Sequence, residues 1–340
     1  MNPYPGNGGM RRVARAKTRT VASAVLGALA LIAACALPLP TRAQDYPSRP
    51  VTIVVGFPAG SATDNLVRPL ANALQSSLGQ PVIVDNKPGA NGVVATQLVA
   101  RAKPDGYTLL AGSSTTLAAN VGLFKSLPYD PVKDFEPVAG MGATSMMFMV
   151  RADASARDLK SFLALAAKEP NPMPVAYGSS SAQVALAMFS KATGVRFTPV
   201  PYKGTPQAIT DLLGGTVPMA IVDVGNGIPH LKSGKLAALA ISGTSRSVSA
   251  PTVPTLAETY PNTELVTWIG LVAPAGTPQL VVDKLWTAIS AALATPDIKE
   301  KFAAISTEID PVAPRELGRR MQRDQVRWIE LIKAAGIQPE

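Results

Sequence analysis

The sequence predicts an α/β fold in two lobes, each built on a mostly parallel sheet, and three observations carry that reading. Short β-branched runs alternate with helical patterns along the chain. Val51-Thr52-Ile53-Val54-Val55 is a continuous apolar run, as in a strand covered on both faces. The 297 residues beyond position 43 suit two lobes better than one core.

Taken in order, the first strand ends in the turn Gly56-Phe57-Pro58-Ala59-Gly60-Ser61, and a helix follows from about Asp64 to Leu78. Leu66, Val67, Leu70, Ala73, Leu74 and Leu78 recur at helical spacing, and Gly79 stands where a C-cap belongs. Pro69 removes one amide hydrogen bond inside this helix and is expected to interrupt and bend it. Further strands are predicted at 82–84, 108–111, 146–150, 175–177, 219–222, 236–241 and 265–272. Helices are predicted near 91–102, 157–168, 182–193, 205–214 and 278–292. A last amphipathic helix starts at Pro314 and is expected to bury Leu317, Met321, Trp328 and Leu331. The apolar strands at 145–150 and 265–272 are the expected crossings, giving lobe 1 as 44–146 plus 267–340 and lobe 2 as 147–266.

The first 43 residues read as a secretory signal: a basic region to Arg19, an apolar run from Val21 to Leu37, and a cut after Ala43. The run is too short, and too soon broken by Pro38 and Pro40, for a comfortable membrane span. Ile32-Ala33-Ala34-Cys35 also resembles a lipoprotein box that would lipidate Cys35, so a lipid-anchored form is the alternative to conventional cleavage. Both place the mature protein in the periplasm. The net charge of +9 comes mostly from this segment, which holds six cations and no acid. Without it 26 basic residues face 23 acidic ones, which is no electrostatic footprint for nucleic acid. One Cys excludes a disulfide framework, and one His, His230, leaves little for Ser-His-Asp or multi-His metal chemistry.

A repeated arrangement points to a binding site: an apolar strand, a short Gly/Ser/Thr loop, then a helix. It occurs at Phe57–Asp64, at Gly112-Ser113-Ser114-Thr115-Thr116, at Tyr177-Gly178-Ser179-Ser180-Ser181 and at Tyr202-Lys203-Gly204-Thr205. Ligands of open α/β sheets sit beyond the carboxyl ends of the strands, where amides, hydroxyls and helix N-termini hold an anion without a formal cation. Each loop alone is an ordinary cap; four together suggest a small carboxylate wrapped from two sides. Asp223, at the end of a strand, would accept from an ammonium or hydroxyl of the ligand, or hold a loop amide. Lys203 would pair with a ligand carboxylate, or be solvated. Gly140-Met141-Gly142 opens like a dinucleotide loop but lacks the third glycine, and Gly178–Ala182 is no nucleophile elbow.

Tyr46-Pro47-Ser48-Arg49-Pro50, the Phe57-Pro58-Ala59-Gly60-x-x-x-Asp64 turn and Leu78-Gly79-Gln80-Pro81-Val82 resemble the Bug family, the solute-binding proteins of tripartite tricarboxylate transporters. So do Asp85–Ala90, Pro104–Leu109, Pro128–Pro131, Val200–Gly204, Asp211–Gly215 and Ala334–Ile337, in order along the chain. The resemblance implies a type II, Venus-flytrap binding protein. It would close over a small carboxylated solute and pass it to a membrane permease, as a monomer, with no cofactor, metal or catalysis. The ligand loops carried over comprise Phe57, Pro58, Ala59, Gly60, Ser61 and Asp64; Ser113, Ser114 and Thr115; Tyr177, Ser179, Ser180 and Ser181; Lys203 and Gly204; and Asp223. The chain departs from the family at Ser61, Pro69, Leu117, Ser181, Gln183 and Ala187. Two alternatives are an extracytoplasmic hydrolase using Asp223 or Asp64 with a serine, and a receptor feeding a sensor kinase.

Overall fold

Val51–Val55 forms β1, which runs parallel to Val82–Asn86 (β2) on one side and to Thr108–Ser113 (β3) on the other, with α1 (Ala62–Leu78) and α2 (Val93–Ala100) as crossovers. The computed structural model describes residues 46–339 together with Met1 and Pro3, so Cys35 and the expected cut after Ala43 lie outside the described residues. The chain divides after Tyr46, and the fold is that of the unit Pro47–Glu340. Ile53, Val54 and Val55 are all buried although successive side chains point to opposite faces, which is why the strand is apolar throughout. Ser61 caps α1 by accepting from the Asp64 N–H, and Gly79 closes it at φ +67°. The helix continues through Pro69 to Leu78, so the expected interruption does not occur.

A π-helical turn (Thr115–Ala119) and the short α3 (Asn120–Leu123) lead to β4, Phe135–Arg151, the longest strand. α4 (Leu159–Ala166) precedes a second parallel block, β5 (Met173–Tyr177), β6 (Phe197–Pro201) and β7 (Met219–Asp223), joined by α5 (Ser180–Thr193) and α6 (Thr205–Leu213). Then come α7 (Val224–Lys232), β8 (Leu236–Ile241), β9 (Val266–Pro274), α8 (Gln279–Ala294), α9 (Pro296–Ala304), β10 (Glu308–Val312) and α10 (Pro314–Ala334). The strand order is β2-β1-β3-β9-β4-β7-β5-β6, with β10 and β8 also on β4. Two α/β lobes thus share one strand.

β4 is that strand. Phe135–Ser145 pairs with β9, and Met146–Arg151 pairs with β7 and β8, all antiparallel. The expectation of a mostly parallel sheet therefore holds within the two three-strand blocks but not for the ladders of β4, β8, β9 and β10, which are antiparallel. Ser242 ties β4 to the segment that enters β9: its hydroxyl accepts from the Met146 N–H (2.9 Å) and donates to the Leu265 carbonyl (2.7 Å).

The first half of β4 was read as a failed nucleotide loop because of Gly140 and Gly142. Both are needed for packing: a Cβ there would lie 2.6 Å from Val312 Cβ and 2.7 Å from Thr307 Cγ2. In α10, Leu317, Met321, Trp328 and Ile332 are buried while Leu331 is only half-buried, since four residues beyond Trp328 returns to the inward face. No helix among the described residues is long and apolar enough to cross a membrane.

Candidate functional site

The four Gly/Ser/Thr loops converge on one narrow cavity with about 420 Å³ of empty space, of which only about 30 Å³ admits the centre of a water molecule. Nine of its fifteen lining residues carry hydroxyls, and the only ionisable side chain lining it among the described residues is Asp223. α1 and α5 turn their N-termini to it: Ser61, Ala62 and Thr63 line it from one lobe, Ser179 and Ser181 from the other. Each helix contributes about half a positive charge there through its free amides.

Two hydroxyls in the lining have no protein partner. Ser113 Oγ and Thr144 Oγ1 are buried without a hydrogen bond among the described residues, although their residues are only 8% and 9% exposed. A buried hydroxyl left unmatched costs about 1–3 kcal/mol. Across the cavity Thr115 Oγ1 and Ser181 Oγ share a bond of 3.1 Å, and Phe57 and Trp268 add aromatic surface.

Several expected ligand residues support the cavity without lining it. Ser114 Oγ accepts from the Trp268 N–H at 2.8 Å. Ser180 Oγ donates to Asn120 Oδ1 at 2.9 Å, and Asn120 Nδ2 donates to the Asn91 carbonyl and to Tyr129 Oη. Burial pushes the Tyr129 phenol up to about 12, so it stays a donor to the Thr116 carbonyl and fixes the π-helical turn. The Tyr177 carbonyl accepts from the Tyr202 N–H. Pro58 packs against Gly204, Ala59 is exposed, and Gly60 sits at φ +78°. Lys203 is exposed and does not line the cavity.

Asp64 also has a different place from the one expected. It is 2% exposed and does not line the cavity. Its Oδ2 accepts from the Gly60 N–H and Arg68 Nε, both at 2.9 Å, and its Oδ1 accepts from Asn86 Nδ2 at 2.9 Å. Burial alone would raise its pKa, but these donors outweigh it and hold the carboxyl below its usual range.

Asp223 does line the cavity and keeps part of its surface exposed. Its Oδ2 accepts from Thr205 Oγ1 at 3.0 Å. Loss of water pushes its pKa up, opposed by that single hydroxyl and by its own backbone. His230 lies in the last turn of α7, away from the lining, its pKa lowered by burial and by Lys235. Neither acid stands beside a serine and an imidazole, which acyl transfer would require.

The cavity floor was not foreseen. Thr144, Thr267, Trp268 and Ile269 come from β4 and β9, where Thr144 pairs with Thr267. The available signal was hydroxyl residues interrupting buried strands. Thr205, which the loop pattern included, lines the cavity as well.

Two α/β lobes meeting at a slot of hydroxyls and helix termini define a solute-binding protein. The chain matches the tripartite tricarboxylate transporter family receptor over residues 66–337, and it belongs to that family. It is 35% identical over 310 residues to protein BugT of Bordetella pertussis, covering 90% of this chain and 95% of the relative. The periplasmic binding protein BugD superposes with TM-score 0.83 at 34% identity, covering 87% of this chain and all of BugD. Rpa4515 of R. palustris with adipate gives 0.84 at 30% identity, over 87% of this chain and 100% of that one. MatC of Rhodopseudomonas palustris with bound malate gives 0.80 at 32% identity, over 84% and 100%. The matched family is one of transporter receptors and BugD is a periplasmic binding protein, which sets the hydrolase alternative aside.

Proposed function

We propose that this protein captures a small carboxylate in the periplasm and delivers it to the membrane permease of a tripartite tricarboxylate-type transporter. The observation that carries the reading is the pair of unmatched buried hydroxyls, Ser113 Oγ and Thr144 Oγ1, in a cavity that receives two helix N-termini and no cation. Adipate and malate, bound by two structural neighbours, give the scale of the solute. The lobes are 44–146 with 267–340 and 147–266, hinged where Ser242 ties Met146 to Leu265. Export follows from the 1–43 signal. Titration calorimetry of the mature chain with mono- and dicarboxylates tests the reading, with Trp268 fluorescence as an optical monitor. Saturable one-site binding is expected; a folded protein indifferent to the whole series overturns it.

Closure has a candidate latch. Asn226 Nδ2, at the start of α7, donates to the Gly60 carbonyl at 2.7 Å, while Asn226 Oδ1 is buried without a partner among the described residues. The second atom offsets much of what the first gains in stability, so the bond serves closure more than folding. Asn226→Ala is expected to leave the melting temperature nearly unchanged and to weaken ligand affinity by about three- to tenfold, the worth of one net hydrogen bond. Stopped-flow fluorescence should place the loss in faster release, and X-ray scattering should show a more open ligand-free protein. Unchanged release and scattering would remove the latch.

A further inference from the structure

The proposed carboxylate capture leaves Asp223 unexplained, since an acid in an anion site repels the ligand. At 4 Å two like charges oppose each other by about 4 kcal/mol at the effective dielectric of such sites. Among the described residues no Lys, Arg or His lines the cavity to neutralise it. Its one hydroxyl partner, Thr205, occupies Oδ2 and brings no charge. The carboxyl is thus desolvated and undercompensated before any ligand arrives.

Its position relative to Thr144 is set by the sheet. Asp223 is the direct partner of Met146 across the β7–β4 ladder, and Thr144 lies two residues back on the same face of β4. Diagonal positions of this kind lie about 7–8 Å apart, with their Cβ atoms somewhat closer. A small ligand lying between them would meet two different groups. One end meets a hydroxyl with nothing to bond; the other meets a carboxyl that needs a donor.

We infer that the ligand is a short carboxylate carrying a hydroxyl or ammonium on a carbon near the carboxyl group, with Asp223 accepting from that donor while Ser113, Thr144 and the helix termini hold the carboxylate. This rests on the carboxylate reading and narrows it: the site selects hydroxy- or aminocarboxylates against plain ones.

Succinate, malate and aspartate are a matched series, differing at one carbon by hydrogen, hydroxyl or ammonium; propionate, lactate and alanine repeat it in monocarboxylates. Calorimetry of the wild-type protein and of Asp223→Asn with all six is the test. In the wild type the best donor-bearing member of a series should bind roughly ten- to a hundredfold tighter than its plain parent, the range for a hydrogen bond to a charged group. In Asp223→Asn that preference should shrink to about twofold, with binding of the plain acid kept or improved. If the plain acids bind the wild type as tightly as the others, Asp223 acts as a protonated donor to a second carboxylate, and this inference fails while the carboxylate reading stands. If Asp223→Asn keeps the wild-type preference, the inference also fails. If none of the six binds folded wild-type protein, both fail. Should Asp223→Asn not fold, Thr205→Val is the second variant: freeing Asp223 from Thr205 should sharpen the preference for the ammonium ligand, and an unchanged preference overturns the assignment.

Discussion

Gly178→Ala should weaken ligand binding by more than about a hundredfold while the chain still folds. A Cβ at Gly178 would lie 2.2 Å from Gly204 C and from Thr205 N, and 2.7 Å from Gly204 O. All three are backbone atoms, so no rotamer change relieves the overlap. Neither strand end can retreat, since Tyr177 pairs with Pro201 and the Tyr202 N–H is bonded to the Tyr177 carbonyl at 2.8 Å. Gly204 is hemmed in on its other side, where its own Cβ would come within 2.7 Å of Pro58 Cδ. Two of the four cavity loops are therefore stacked backbone to backbone and the Pro58 ring closes on a third, so a methyl group in the stack moves Ser179, Thr205 or the Phe57 turn. Overpacking of this kind costs about 1–3 kcal/mol of stability. Affinity should fall further, by more than about a hundredfold, because several hydroxyls lose their alignment at once. Gly194→Ala is the control: φ is +72° with nothing within 4 Å of the added Cβ, so it should cost about 1 kcal/mol of backbone strain and leave affinity alone. Urea unfolding and calorimetry on both variants separate the effects. Wild-type affinity in Gly178→Ala would show that the loops are looser than this packing implies.

What the sequence made legible, and what it hid, follows from how far apart the deciding residues lie. β1 could be read from five residues because its burial on both faces forces a continuous apolar run. The hydroxyl loops could be read because each follows a strand and opens a helix within a few positions. β6 and β10 escaped because Pro199, Pro201 and Pro311 argue against a strand; both lie on sheet edges, where a missing N–H does no harm. The cavity floor escaped because Thr144 meets Thr267 only through a ladder between segments 123 residues apart. Asp64 was found as an acid opening a helix, which is correct. Its role depends on Asn86, on the next strand, and no local pattern says whether such an acid faces a ligand or its own loop.

That role makes Asp64 the residue whose loss should most weaken the first loop. Its carboxylate receives the Gly60 N–H, Arg68 Nε and Asn86 Nδ2, while Asn86 Nδ2 also reaches the Phe57 carbonyl at 3.0 Å. Both ends of the Phe57–Gly60 turn thus hang on one buried group. Arg68 is 48% exposed, so the ion pair with it is screened and adds little; the weight lies on the neutral donors. Asp64→Ala leaves the Gly60 N–H without its acceptor, and a loss of about 2–3 kcal/mol is expected at pH 7. Asp64→Asn restores one acceptor but points an amide N–H at the remaining donors, so it should recover only part. The carboxyl is held below its usual range in the folded protein, which fixes the sign of the pH effect. A depressed folded pKa gives stability that is complete above the unfolded value of about 3.9 and disappears as pH falls through the folded one. Wild type and Asp64→Ala should therefore differ by a constant amount from pH 5 to 8 and converge below about pH 4. Urea unfolding at pH 7, 5 and 3 measures this directly. A gap between the two that persists undiminished at pH 3 would mean that the carboxylate charge is not what holds the turn.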